Sequence, residues 1–358
     1  MRLIADRRMQ VGLLAATVVS VQVLTFLTGT GYYLTQLTMS AYYLLVIMGL
    51  CTLMGYAGQI SLGHAGFFAM GGYLSALMTT RDLIEYRGNG LVDALYSSGV
   101  LMIRKGLYGA DTLHFVPWVS AVMAVLTTVA VAYLLGGPVL RLKGHYLAMA
   151  TLAFGTIIYT LVVGSDIFGA ADGISDVPAF TLLPGIEVSG SRGVRVENFY
   201  IAWGLVLLFT MMLLNLVDSR VGRALRSIHG AEDASAANGV DTDGYKLRIF
   251  VMSAAMAALA GVFLTHFNGG IGPSESSVMK SVRYVAIVAV GGMANLWGAI
   301  VMGVVLNFLS LRGVFGSFDE AIFGAILIVI MLFAPEGILK LDIPALIKSR
   351  FFSTGKDD

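Results

Sequence analysis

One cysteine stands in the whole chain, Cys51, so no disulfide can close within it and no cysteine-based metal cluster is available. Charge is scarce as well: 13% of the 358 residues are Asp, Glu, Lys or Arg. The apolar stretches hold almost no ionisable residues beyond His64, His145 and His266. A route for ions shows rings of charged side chains or a glycine-rich carbonyl filter, and neither is present. A proton relay wants several such groups in series, so these histidines are expected to be hydrogen-bonding residues near helix ends rather than proton carriers. The chain has no G-x-x-x-x-G-K-[ST] phosphate loop, no zinc motif and no nucleophile constellation. No catalytic residue, metal or cofactor is therefore expected, and any ATP-driven work must come from another subunit.

What the chain has is apolar length. Hydrophobic residues make up 57% of it, and about 20 apolar residues in a helix match roughly 30 Å of hydrocarbon while satisfying their own backbone hydrogen bonds. The clear stretches are Gln10–Leu27, Tyr32–Met54, Phe115–Gly137, Gly144–Gly164, Phe199–Val217, Leu247–Phe267 and Phe318–Ala334, with a weaker one at Leu62–Thr80. The first is read as a retained helix rather than a cleaved signal, because the loop after it is very short. The stretch Ser281–Leu311 is divided at Gly291-Gly292-Met293-Ala294-Asn295 into a short span, Val282–Gly292, and a longer one, Leu296–Leu311. The expected fold is an all-α polytopic membrane protein with about ten transmembrane helices, one broken near Gly55–Tyr73 and one short near Val282–Gly292. Fourteen of the 23 Lys and Arg fall at the two termini, in Pro138–Lys143 and in Asp218–Arg248, which places both termini in the cytoplasm. Residues 1–350 form a single transmembrane domain, with periplasmic loops at 81–114 and 165–198, a cytoplasmic loop at 218–246 and a disordered cytoplasmic tail at 351–358. The loop 165–198 carries Asp166, Asp172, Asp176, Glu187 and Glu197 against Arg192 and Arg195, which reads as a solvated lid or an acidic docking surface.

Two segments carry the functional expectation. The glycine-rich run Gly55–Tyr73 contains Gln59, Ser61 and His64, and suits a broken helix beside a pathway, since glycine lets helices approach and the backbone leave helical geometry. A passage lined by Tyr, Thr, Ser and Met suits a neutral or zwitterionic, partly apolar solute. Its lining candidates are Gln59, Ser61, His64, Tyr73, Tyr146 and Thr151, with Thr156 and Tyr159 following at roughly helical spacing. The second segment, Ser219–Lys246, is polar. Val221, Ala224, Leu225 and Ile228 recur at i, i+3, i+4, i+7 to make one apolar stripe, with Arg220, Arg223 and Arg226 on the other faces and Gly230 and Gly239 as stops. The stripe suits a groove on a soluble partner, with the arginines at its rim.

Three blocks in this order resemble one family: Gly55–Tyr73, then Gly144-His145-Tyr146-Leu147-Ala148-Met149-Ala150-Thr151-Leu152-Ala153-Phe154-Gly155, then Ser219–Phe263 with Val221-Gly222-Arg223-Ala224-Leu225-Arg226 and Lys246-Leu247-Arg248-Ile249-Phe250. The chain resembles the LivM-type permease subunit of branched-chain amino acid ABC importers over most of its length. The resemblance implies a non-catalytic inner-membrane subunit, similar in plan to cobalamin importers, working with a second homologous permease, two cytoplasmic ABC ATPases and a periplasmic substrate-binding protein, with no nucleic acid. It further implies that the loop after the sixth helix couples to the ATPases, which carries over to Gly222, Arg223, Glu232 and Gly239, beside Arg220 and Arg226. The chain departs from the family's pattern at Gly169-Ala170-Ala171-Asp172-Gly173, at His229-Gly230-Ala231 and at Pro335-Glu336-Gly337. Relatives also serve urea, short amides and aromatic acids, so the solute stays open between these and branched-chain or other neutral amino acids. An ion-coupled secondary transporter and a non-transporting scaffold or receptor are the alternatives of a different class; the charge-poor helices argue against the first, and failure to stimulate any ATPase would mark the second.

Overall fold

The computed structural model describes residues 7–333 apart from 106–108, 110, 143 and 315. The expected positions of both termini, the tail 351–358 and the Pro335-Glu336-Gly337 departure lie outside the described residues. In chain order the α-helices are α1 (Arg7–Leu27), α2 (Tyr32–Ala57), α3 (His64–Thr80), α4 (Gly90–Ser97), α5 (Pro117–Val139), α6 (His145–Gly164), α7 (Arg195–Asp218), α8 (Arg220–Gly230), α9 (Glu232–Ala237), α10 (Thr242–Asn268), α11 (Val278–Gly291), α12 (Leu296–Leu311) and α13 (Asp319–Phe333). The chain is an all-α polytopic membrane protein. Six of these helices, α1, α2, α5, α6, α7 and α10, are long and apolar enough to cross a bilayer. With α3, α11, α12 and α13 they match the ten expected apolar segments one for one.

The four shorter helices run 14 to 17 residues. At 1.5 Å per residue α3, α11 and α12 fall short of about 30 Å of hydrocarbon, so their non-helical ends must be shielded by protein. The centre is α2, buried along most of its 26 residues, and α10, which packs on α2, α3 and α5. The approach of α3 to α10 is backbone to backbone: a Cβ placed on Gly71 would stand 2.2 Å from the Ala258 carbonyl oxygen. Small residues at such crossings are how helices associate where lipid tails are as apolar as leucine. By contrast α1 is largely exposed and packs mainly on α7.

The two long loops are more built than a hydrated connection. The first holds α4 and the hairpin β1 (Leu101–Lys105) with β2 (Asp111–Phe115). The second holds β3 (Ile174–Ser175), β4 (Phe180–Leu183) and β5 (Ile186–Val188); β4 and β5 form a hairpin, and β3 pairs antiparallel with β6 (Gly270–Ile271) just beyond α10. Phe180 is fully buried, its ring 5.0 Å from Trp118 and 5.5 Å from Phe263. The loop's apolar residues thus anchor it to the bundle, while Asp166, Asp172 and Asp176 stay exposed. An ion pair from Arg104 to Asp176 at 3.7 Å ties the two loops together.

Candidate functional site

The glycine-rich run is a true interruption between two helices. Gly58, with φ at +68°, ends α2 in the left-handed conformation, and the Gln59 amide closes back on the Leu53 carbonyl at 3.2 Å. Glycine is the residue for that geometry because it has no Cβ to clash. The chain then turns back through Gln59–Gly63 before α3 begins at His64, two residues later than the expected start at Leu62.

An interrupted backbone inside a membrane must find partners for its freed amides. Two helices supply them as hydroxyls, and a third holds the His64 side chain. The Leu62 amide donates to Thr151 Oγ1 on α6 at 3.0 Å, and the Ala65 amide donates to Ser281 Oγ on α11 at 3.1 Å. His64 bonds Ser61 through Nδ1 at 3.0 Å and Ser253 on α10 through Nε2 at 2.7 Å. His64 is a fully buried connector between the turn and α10. His266 does the same at the other end of α10, bonding Ser75 at 2.8 Å and the Pro178 carbonyl at 2.7 Å.

At the end of the bundle where α2 stops, the turn faces the polar segment. Ser219 caps α8, its hydroxyl accepting from the amides of Val221 and Gly222 at 3.1 and 3.4 Å. Gly222 is required by proximity: a Cβ there would lie 2.0 Å from the Val217 carbonyl oxygen. The apolar stripe lies against the protein's own bundle and not outward toward a partner, which corrects the sequence expectation. Leu225 and Ile228 are 1% and 3% exposed, with Val221 and Ala224 half-buried. The face left in water is Arg220, Arg223, Arg226, Ser227 and His229. The reason is local: an 11-residue helix joined directly to α7 and shortly followed by α10 buries its apolar side on the nearest apolar surface.

Glu232 also turns inward. It pairs with Lys246 of α10, whose side chain is 3% exposed against 27% for Glu232. Glu232 therefore braces the α8–α9 segment against a span. Gly239, with φ at +81°, makes the turn into α10 in open space. A cavity of about 230 Å³ separates these elements, lined by Gln59 from the turn, His229 from α8, Leu147 from α6, and the Glu232–Lys246 pair. A Cβ on Gly58 would touch the His229 ring at 3.4 Å. The interruption after α2 and the polar helix are thus close neighbours around one cavity.

The remaining lining candidates part company. Thr151 is buried and occupied by the turn, while Tyr146 is 71% exposed and Thr156 and Tyr159 also face outward. They do not share one face of α6. Outward α6 carries a shallow groove along Met149, Ala153, Thr156 and Thr160. Tyr73 is fully buried, its ring edge-on to Phe168.

What the sequence reading missed is an ionic cluster at the opposite end of the bundle, beside α11. Lys280 donates to Glu275 at 2.9 Å and to the Tyr43 hydroxyl at 3.2 Å, and Tyr43 donates to the same Glu275 oxygen at 2.9 Å. The buried hydroxyls of Tyr73 and Tyr284 have no hydrogen-bond partner among the described residues. The helix starts at Val278, four residues before the expected span at Val282, and Ser277 caps it by accepting from the Lys280 amide at 3.2 Å. Ser277, an N-cap residue type just before the apolar run, was the available signal.

A helical membrane bundle with a hydroxyl-braced interruption and a docked polar helix is compatible with a transport permease. Residues 32–335 match the family described as branched-chain amino acid transport system / permease component, and the chain belongs to that family. It is a non-catalytic permease component of an ATP-binding-cassette transport system, of the LivM type. It is 29% identical over 331 residues to the high-affinity branched-chain amino acid transport system permease protein LivM of Salmonella typhimurium strain LT2, covering 86% of this chain and 70% of that protein. Identity to LivM of Escherichia coli strain K12 is 28% over the same shares. LivH of Salmonella typhimurium, another permease of the system, is 26% identical over 86% of this chain and 96% of its own length. No solved structure matches.

Proposed function

We infer that this chain is one of two homologous permeases in an inner-membrane importer for branched-chain or similar neutral amino acids. Two cytoplasmic ATPases drive it, and a periplasmic binding protein delivers the solute. One observation carries the reading: α8 buries its apolar stripe on the bundle, exposes Arg220, Arg223 and Arg226, and shares a cavity with the turn after α2 through His229. A helix so placed transmits force from a soluble subunit to an interruption in the membrane, as alternating access requires. Arg223 and Arg226 also grip the end of α7, donating to the Asp218 and Val217 carbonyls at 3.2 and 3.1 Å. The outward face of α6, with Tyr146 and Thr156, is assigned to the second permease and the passage between the two; Gln59 and the Ser61–His64 pair sit at its cytoplasmic end.

Arg223→Glu reverses one charge on the exposed rim without touching the buried stripe. The variant is expected to insert and assemble normally, while leucine uptake by proteoliposomes of the complete complex falls at least tenfold and ATP hydrolysis no longer responds to loaded binding protein. Unchanged uptake removes Arg223 from the coupling surface.

A further inference from the structure

A second cavity, of about 380 Å³, lies between α11 and α13, adjoining the Glu275–Lys280 cluster. Its walls combine apolar and ionic groups. Val282, Ala286 and Phe323 line it together with Lys280, Arg283 and Asp319. Arg283 pairs with Asp319 at 3.0 Å and lies 4.2 Å over the Phe323 ring. Asp319 also accepts from Ser310 at 2.5 Å. Both ion pairs of the wall are incomplete. Among the described residues, Arg283 Nε, Asp319 Oδ1 and Glu275 Oε2 are buried with no hydrogen-bond partner. A buried donor and buried acceptors left open together mark a place built for more than the salt bridges it contains.

We propose that this cavity binds the zwitterionic head of an α-amino acid, its carboxylate on Arg283 and its ammonium on Asp319, with the apolar side chain against Val282, Ala286 and Phe323. The assignment rests on the transport reading above. Charge decides the ligand class. A lone anion or cation entering between Arg283 and Asp319 would leave one member of a half-buried pair unmatched, which is costly. A zwitterion exchanges one ion pair for two and adds no net charge to the bundle. Arg283 suits the carboxylate end, because the edge bearing Nε offers two parallel donors. The volume falls at the small end of ligand pockets, about 300–1,000 Å³. The same chemistry is carried by a phosphatidylethanolamine headgroup, and the experiment separates the two.

The complete complex, without binding protein, is placed in phosphatidylcholine nanodiscs and saturation-transfer NMR is recorded on free leucine. Leucine is expected to bind, with the strongest transfer at its methyl protons. 4-Methylpentanoate, which lacks the ammonium, and isopentylamine, which lacks the carboxylate, are each expected to bind at least tenfold more weakly. Arg283→Gln and Asp319→Asn are each expected to reduce leucine transfer at least tenfold, with partial recovery in the swapped pair Arg283→Asp with Asp319→Arg. Equal transfer from leucine and its two one-charge analogues overturns the proposal, and this comparison needs only the unmodified complex. Undiminished transfer in both single variants overturns it too, as does loss of the leucine signal when phosphatidylethanolamine is added, which assigns the cavity to lipid. ATP-driven leucine uptake by the unmodified complex with its binding protein keeps the two readings apart. If uptake is absent, the transport reading fails; if uptake is present and leucine does not bind at α11–α13, only this proposal fails.

Discussion

Replacing Glu232 by Gln tests whether the α8–α9 segment is held to the membrane body by charge. Lys246 is almost wholly enclosed, so removing the carboxylate leaves an ammonium with little water to solvate it. Breaking a buried pair from one side costs about 3–5 kcal/mol. Glu232 keeps a quarter of its surface in water, so the lower end applies, about 3 kcal/mol, and at about 1.4 kcal/mol per tenfold this is roughly two orders of magnitude in a local opening equilibrium. The cost falls on the segment that closes the cavity against Gln59. Hydrogen exchange of the α8–α9 amides in the assembled complex is expected to accelerate about a hundredfold in Glu232→Gln, while amides in the middle of α2 and α10 keep their protection. The double variant Glu232→Leu with Lys246→Met removes both charges and is expected to return exchange to within about tenfold of the original, since replacing a buried pair by apolar groups is often neutral. On the proposed coupling role of α8, uptake in Glu232→Gln is expected to fall more than ATP hydrolysis. Unaltered exchange in the single variant, or a double variant as labile as the single, refutes the reasoning.

Two further outcomes follow from the bundle itself. Thr151→Val keeps the shape of the side chain but leaves the Leu62 amide without an acceptor, a loss of about 1–3 kcal/mol; thermal unfolding in detergent should show it, with Thr151→Ser close to the original. Gly71→Ala forces a methyl against the Ala258 carbonyl, and overpacking of this kind costs typically about 1–3 kcal/mol, so the yield of monodisperse complex should drop sharply, whereas Ala at Gly137, which has open space around it, should leave it unchanged.

Much of the architecture was legible. Helices must satisfy their own backbone in lipid, so runs of apolar residues reveal spans directly, and even the division at Gly291–Asn295 could be read, because Asn295 caps α12 by accepting from the Gly298 amide at 3.1 Å. The glycine-rich run correctly announced an interruption, since only a residue without a side chain ends α2 as Gly58 does. The lining candidates were less legible. Tyr146 and Thr151 stand five residues apart on one helix and face opposite ways, one toward the outside and one into the turn. Hydropathy does not distinguish a face turned to lipid or to a second permease from a face turned to the core when both are apolar.

The sequence by itself determined that this is a polytopic membrane protein with about ten apolar segments, an interruption after the second and a polar segment outside the apolar spans, and it carried the resemblance to branched-chain amino acid permeases. These follow from composition, spacing and the cost of an unpaired backbone in hydrocarbon, all of which are local or carried by motif. Only the tertiary structure decided where charges and faces meet. It turned the stripe of α8 inward, joined Glu232 to Lys246, and brought Arg283 to Asp319 from 36 residues away in the chain. Periodicity says that a helix has two faces, but which neighbour covers each one depends on the packing of all the others.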